Sequence, residues 1–364
     1  MKIAMIGQKG IPTLFGGVER HVEEISCRLA DKGYQVFAYV RPYYTSRKKK
    51  KYHKVELIHL PAWQNKFLDT PLHVISSIFH AAFKLKPEVL HFHGIGPALF
   101  IGLAKIITPK TKIVFTFHCR DYFHKKWGFF SRLILRTGEW MGCNLADEIL
   151  AVSPELQKYI WKNYKKESLL ASHGVQEEKV LAPQILSSMK KDSYLLAVTR
   201  LIPHKGIHYL IQAYQKIETD KKLVIAGDSF HTEAYQERLH ELAKNHPNII
   251  FLGNQKGRRL KELYSNAYLY VHPSEQEGLP LTVLEAASFG LPMLLSNIPE
   301  HKSILDSIPL FFKNKDVADL RKKLEFALNH PKEMKQKGKL TKKEAQKRYN
   351  WDQTVEAAIS SYVA

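Results

Sequence analysis

Short apolar runs rich in Val, Ile, Leu and Phe alternate with longer amphipathic stretches along almost the whole chain, the pattern of a parallel sheet covered by helices. In the first half the runs predict strands at Lys2–Ile6, Gln35–Val40, Val55–His59, Val89–His93, Lys112–Phe117 and Glu148–Val152. Between the first two, Val18–Lys32 carries apolar residues at helical spacing and is stopped by Gly33. A second series starts at Ser193, with strands predicted at Tyr194–Thr199, Lys222–Ala226, Ile249–Leu252, Leu269–His272 and Met293–Ser296.

The restart divides the chain. Residues 1–180 form a first Rossmann-like domain and residues 193–349 a second. Residues 181–192 lie in an aperiodic stretch with Pro183, Ser187 and Ser188, which reads as the linker. A last helix begins near Trp351, and residues 350–364 are expected to pack back on the first domain. The expected fold class is therefore α/β, with two Rossmann-like domains facing across a cleft.

A length of 364 residues suits two hydrophobic cores better than one. With 45% hydrophobic and 25% charged residues, the composition is that of a globular protein. No run approaches the roughly 20 apolar residues of a spanning helix. Cys27, Cys119 and Cys143 have neither disulfide-framework nor zinc spacing, so a reducing, cytoplasmic setting is expected. The formal charge of +20 favours polyanionic partners. Two stretches of the first domain concentrate it: the basic loop Arg47–Lys54 and the basic-aromatic segment Phe123–Trp140. Each alone reads as a solvated loop or a core helix. Together they suggest a face for anionic lipid on the inner side of the plasma membrane rather than for nucleic acid.

Candidate chemistry gathers where strands run out into loops. After Leu269–His272 comes SEQEGLPLTVLEAASFGLP, in which Gly278 and Pro280 keep Glu277 in a loop and let a helix begin near Leu281, with Glu285 one turn inside it. A helix start beside Gly278 and Leu279 offers unpaired N–H groups and a positive dipole end to a diphosphate. Thr199–Gly206 places Arg200 and Lys205 five residues apart at another strand end, two cations suited to a leaving diphosphate. The loop GQKGIPTLFGG fails as a dinucleotide fingerprint, yet Gly16 and Gly17 just ahead of a helix leave room for a phosphate or sugar. His91 and His93 share one face of a strand and His118 follows the next. Strand-end histidines are mostly structural, and no metal is expected.

Taken together, the Glu-x7-Glu pair of Glu277 and Glu285 around Gly278-Leu279-Pro280, preceded by Arg200 and Lys205, resembles family 4 of the retaining glycosyltransferases, whose architecture is GT-B. The resemblance covers nearly the whole chain. The opening IGQKGIP with FGGVERHVEEI is similar to a bacterial rhamnosyltransferase-like branch associated with surface polysaccharide assembly. By that resemblance Arg200 and Lys205 hold the donor diphosphate, Glu285 the ribose, and Glu277 a hydroxyl of the transferred sugar. Gly16 and Gly17 face the diphosphate, His118 approaches the donor sugar or acceptor, and Gly227 and Gly253 lie in loops around the nucleotide. Two positions depart from the pattern: His173 stands where an asparagine is frequent, and Ser229 where a glycine is.

The resemblance implies a nucleotide-sugar donor as substrate, a glycan or lipid-linked acceptor, and no cofactor or metal. Rival readings are a sugar-nucleotide epimerase or phosphorylase of the same architecture, and a non-catalytic basic scaffold for membrane or nucleic acid. Because Lys205 and Glu285 would lie in an open cleft, alanine at either is expected to remove activity and spare the fold.

Overall fold

The computed structural model describes residues 1–14, 16–65, 67–123, 128–175, 178–184, 189–229 and 232–364. The chain divides into two compact units, Met1–Gly174 with Trp351–Ala364, and Val175–Asn350.

The first unit holds strands β1 (Lys2–Ile6), β2 (Gln35–Val40), β3 (Lys51–Tyr52), β4 (Val55–His59), β5 (Val89–His93), β6 (Lys112–Phe117), β7 (Glu148–Ala151) and β8 (Leu169–Leu170). They form one sheet in the order β3-β4-β2-β1-β5-β6-β7-β8, parallel except for the β3–β4 pair. Without the two-residue edges β3 and β8, the strands taken in chain order run 3-2-1-4-5-6, the Rossmann order. The basic stretch Arg47–Lys54 is thus not only a loop. Lys51 and Tyr52 pair antiparallel with β4, and Lys49 stacks over the Tyr52 ring at 4.7 Å, which leaves the charges on a sheet edge.

The second unit holds β9 (Tyr194–Val198), β10 (Lys222–Ala226), β11 (Ile249–Phe251), β12 (Leu269–His272), β13 (Met293–Ser296) and β14 (Leu310–Phe312), ordered β11-β10-β9-β12-β13-β14 and parallel throughout. In chain order this is again 3-2-1-4-5-6. Helices cover both faces of such a sheet, so its central strands read as unbroken apolar runs: every residue of YLLAV in β9 is buried. At three residues, β14 is too short to show a period in the sequence, and it closes one edge beside β13.

Residues 175, 178–184 and 189–192 belong to the second unit rather than to a linker between units. Leu181 N–H donates to Ser265 Oγ at 2.9 Å, Asn266 Nδ2 donates to Leu181 O at 3.0 Å, and Lys261 pairs with Glu178 at 2.6 Å. Their composition is that of a loop, but these polar contacts tie them to helix Gly257–Asn266. Residues 185–188, with Ser187 and Ser188, lie outside the described residues.

Helix Trp351–Val363 belongs to the first unit and buries Trp351, Val355, Ala358 and Tyr362 in its core. Tyr362 is hydrogen-bonded to His91 Nδ1 at 2.8 Å, and the Thr354 hydroxyl donates to Ser172 O. At about 1.5–3 kcal/mol for a fully buried large apolar side chain, the helix contributes several kcal/mol to this unit.

Candidate active site

In open α/β sheets ligands bind beyond the carboxyl ends of the strands, where the strand order reverses. In the second unit that point lies between β9 and β12, and most of the sequence-selected residues of this unit converge on it. Arg200 follows β9 and is exposed. Lys205 closes a short 3-10 turn ahead of helix Ile207–Tyr214. Glu277 occupies the loop after β12, and helix Leu281–Ser288 starts behind Pro280, so Glu285 lies in its second turn.

Lys205 Nζ donates to Glu277 Oε1 at 2.5 Å, and the two side chains are only 12% and 8% exposed. His272, the last residue of β12, meets the same oxygen through Nε2 at 2.8 Å. Burial pushes the Glu277 carboxyl up, but the Lys205 ammonium and the His272 ring outweigh burial and hold it well below the usual carboxylate range. Burial holds His272 down against the opposing pull of Glu277, so the imidazole is neutral. An ionised carboxylate only accepts, which makes Nε2 the proton-bearing nitrogen and turns a bare Nδ1 toward the Tyr270 hydroxyl at 3.1 Å.

Glu285 is half-buried and accepts from the buried Tyr264 hydroxyl at 3.0 Å through Oε2. It is therefore oriented by the core, not free in solvent. Leu279 is buried and Gly278 partly so. Gly227, after β10, has φ +145, and a Cβ there would stand 1.7 Å from the carbonyl oxygen of Thr199, so glycine is required for the close passage of two strand ends. Gly227 N–H donates to the Gly253 carbonyl oxygen at 2.8 Å.

The remaining selected residues lie in the first unit. Gly16 caps helix Gly17–Asp31 with φ +106, and its Cβ position is filled by Glu19 Oε2 at 2.0 Å. The loop ahead of it is already partly satisfied from within: Lys9 N–H donates to Glu19 at 3.1 Å and Thr13 N–H to Glu23 at 2.5 Å. Residue 15 lies outside the described residues.

His118 is 5% exposed and sits in a cluster of five buried imidazoles with His21, His91, His93 and His173. His93 Nδ1 and His118 Nε2 are 3.2 Å apart, and His21 Nδ1 and His173 Nδ1 2.9 Å apart. His91 and His93 share a face as strand alternation requires, with ring centroids 4.1 Å apart. Burial and the neighbouring rings hold His21 and His93 well below the ordinary histidine range, as they do His118.

The sequence reading passed over His272, Tyr270, Tyr264 and His21. For His272 a signal existed, since it ends a strand just as His93 does. For Tyr264 and His21, each on a buried helix face, spacing alone gave none.

Residues 15–176 match the model of Glycosyltransferase Family 4, and residues 181–344 that of Glycosyl transferases group 1. The chain is thus a family 4-like glycosyltransferase in its domain make-up, with the GT-B fold of two Rossmann-like domains. It is similar to the O-antigen chain mannosyltransferase RfbU of Salmonella typhimurium, 27% identical over 52% of this chain and 53% of that one. Its fold is shared with sucrose-phosphate synthase of Thermosynechococcus elongatus at TM-score 0.83 and 19% identity, over 99% of this chain and 98% of the other. It is shared too with HepE of Anabaena in complex with UDP-glucose, at TM-score 0.81 and 17% identity, over 99% and 100% of the two chains. The sequence match spans about half the length of the first curated relatives.

Proposed function

We propose that the chain is a retaining, metal-independent glycosyltransferase that takes a sugar from a nucleotide-sugar donor and adds it to a glycan or lipid-linked acceptor. The observation that carries this reading is the Lys205–Glu277 pair at the strand-order reversal of the second unit, beside exposed Arg200 and the start of helix Leu281–Ser288. Without donor, Lys205 is held on Glu277. A donor diphosphate draws the ammonium over to itself, and a hydroxyl of the sugar then takes its place as donor to the Glu277 carboxylate. Arg200, Lys205 and the helix end stabilise the charge that builds on the leaving diphosphate. The acceptor hydroxyl attacks from the face the diphosphate leaves and passes its proton to the departing diphosphate oxygen as the sugar–phosphate bond breaks, which gives retention. Glu285, set by Tyr264, receives the ribose hydroxyls, while Gly227 and Gly253 border the nucleotide and His118 serves the sugar or acceptor side.

The O-antigen activity in the name of RfbU supports surface polysaccharide assembly as the setting, and the UDP-glucose bound to HepE supports a nucleoside-diphosphate sugar as donor. The rhamnosyltransferase-like opening of the chain agrees with that setting. A panel of UDP-, GDP-, ADP- and dTDP-sugars should reveal one class that raises the unfolding temperature, because a ligand of the folded state stabilises it. Turnover should then need an acceptor. Conversion of donor without acceptor would make the chain an epimerase instead, and no stabilisation by any donor would leave the basic-scaffold reading. With cations already at hand for the diphosphate, EDTA should leave the initial rate within about twofold of the untreated protein. Loss of rate restored by manganese or magnesium would reject metal independence.

A cytoplasmic protein resting on the anionic inner membrane surface is part of the same reading. Among the described residues no helix is long and apolar enough to cross a membrane. Helix Phe129–Leu145 instead exposes Phe129 at 78% and Phe130 at 77%, with Leu133, Ile134 and Trp140 also exposed and Arg132 and Arg136 among them. Residues 124–127 of this basic-aromatic stretch lie outside the described residues. At about 1 kcal/mol for each basic residue near the surface, binding to phosphatidylglycerol vesicles should be strong at low salt and fall steeply as salt is raised. Changing Lys48–Lys51 to serine should weaken it at least about tenfold. No sedimentation with vesicles at low salt would refute the membrane role.

A further inference from the structure

We infer that His272, Glu277 and His301 form a divalent-cation site, best suited to zinc, in which the metal competes with Lys205 for the Glu277 carboxylate. Among the described residues these three offer ligand atoms that all lie within 4.8 Å of one another. A tetrahedral zinc with bonds of about 2.0–2.1 Å holds its donors about 3.4 Å apart, so closure by roughly an ångström completes the set. Two imidazoles and a carboxylate, with a fourth position left for water, are a donor set that suits zinc.

Each ligand is already prepared. His301 is fully buried, and its Nε2 has no hydrogen-bond partner. Its Nδ1 lies 2.9 Å from Ser296 O and donates to it, which fixes the tautomer that leaves Nε2 free to ligate. His272 needs only to shift its proton from Nε2 to Nδ1, where the Tyr270 oxygen at 3.1 Å accepts it while the Tyr270 hydroxyl donates to Val198 O at 3.3 Å. Burial holds both imidazoles in the neutral form that metals bind. The obstacle is Lys205, whose ammonium lies on the Glu277 oxygen that a metal would take. Zinc and ammonium are therefore alternatives: when zinc enters, Lys205 must swing away, and the diphosphate clamp loses one of its cations. Zinc acts here as an inhibitor, which is compatible with catalysis that needs no metal.

The test uses the full chain and metal alone, with no donor, so its outcome is independent of whether sugar is transferred. Cobalt(II) serves as the visible probe and zinc as its competitor. One equivalent of cobalt should produce the visible absorption of a low-symmetry nitrogen–oxygen site, and one equivalent of zinc should bleach it. His301→Gln should lose that signal with an unchanged circular dichroism spectrum. Lys205→Met removes the competing charge and should tighten binding at least about tenfold, an effect a histidine site elsewhere on the chain would not show. Absence of a stoichiometric signal in both the parent and Lys205→Met overturns the site. A signal indifferent to His301→Gln, or a Lys205→Met variant that binds no more tightly than the parent, overturns it as well.

Discussion

Lys205→Ala is expected to lower the rate of sugar transfer by about 10²–10³-fold, the loss typical when one preorganised group that stabilises developing charge is removed. The same change should lower stability. Lys205 and Glu277 are 12% and 8% exposed, so alanine leaves a buried carboxylate with only neutral His272 beside it, a loss of about 3 kcal/mol. The open-cleft reading of the sequence, in which this variant spares the fold, does not survive that burial. Glu277 has a depressed folded pKa, so the pair's stabilisation is present above the unfolded carboxylate value and is lost as pH falls through the lower folded value. At neutral pH the effect is fully present. Glu285→Ala removes a half-buried group that accepts from Tyr264 and that the proposed function assigns to the ribose hydroxyls, so it should raise the donor KM with a smaller effect on the fold. Steady-state kinetics and urea midpoints on both variants check this. A Lys205→Ala protein that transfers sugar within a few-fold of the parent rate would remove Lys205 from the site.

Mild acid should unfold the first unit. Burial pushes His91 and His173 down to about 3, and burial with neighbouring rings holds His21, His93 and His118 well below the ordinary value. In the unfolded chain all five titrate near about 6.5. As pH falls below that value the unfolded state gains protons and the folded state does not, so stability is full above it and lost on the way down. Each histidine then contributes about 1 kcal/mol of lost stability between pH 6.5 and 5.5. Five together lose about 5 kcal/mol, comparable to the whole stability of many domains. The second unit has fewer such groups, chiefly His272 and His301, and Glu277 acts only at lower pH. Hydrogen exchange should therefore accelerate first in peptides spanning Val89–His93 and Lys112–Phe117, and later in those spanning Tyr194–Val198. Protection that stays level in all of them from pH 7 to 5.5 would mean the cluster takes up protons without opening.

Both sheets were legible because a strand covered on two faces needs a continuous apolar run, and runs such as KIAMI and YLLAV fit little else at their length. The loop position of Glu277 and the helical position of Glu285 followed from Gly278 and Pro280, whose backbone restrictions act locally. What stayed hidden depends on partners distant in sequence. Residues 178–184 have loop composition, and their bonds to helix Gly257–Asn266, through Glu178 and Leu181, tie them to the second unit. The Lys205–Glu277 distance depends on β9 and β12 lying side by side, which no local pattern encodes. The same adjacency brings His272 to Glu277, and the packing of helix Pro299–Leu305 beyond β13 brings His301 near them.

Because Trp351–Val363 completes the first unit from beyond the second, the order of synthesis and the order of assembly part company. On the ribosome the second unit has its whole sequence available while the first still waits for the helix that covers His91 and its neighbours. Until Trp351, Val355 and Tyr362 emerge, that stretch of core is open to water, to chaperones and to other nascent chains. The synthesis of the whole second unit, up to the emergence of that helix, is thus the interval in which the first unit is most exposed to misassembly, and a stalled or truncated chain lacking only that helix would present a finished second unit beside an unfinished first.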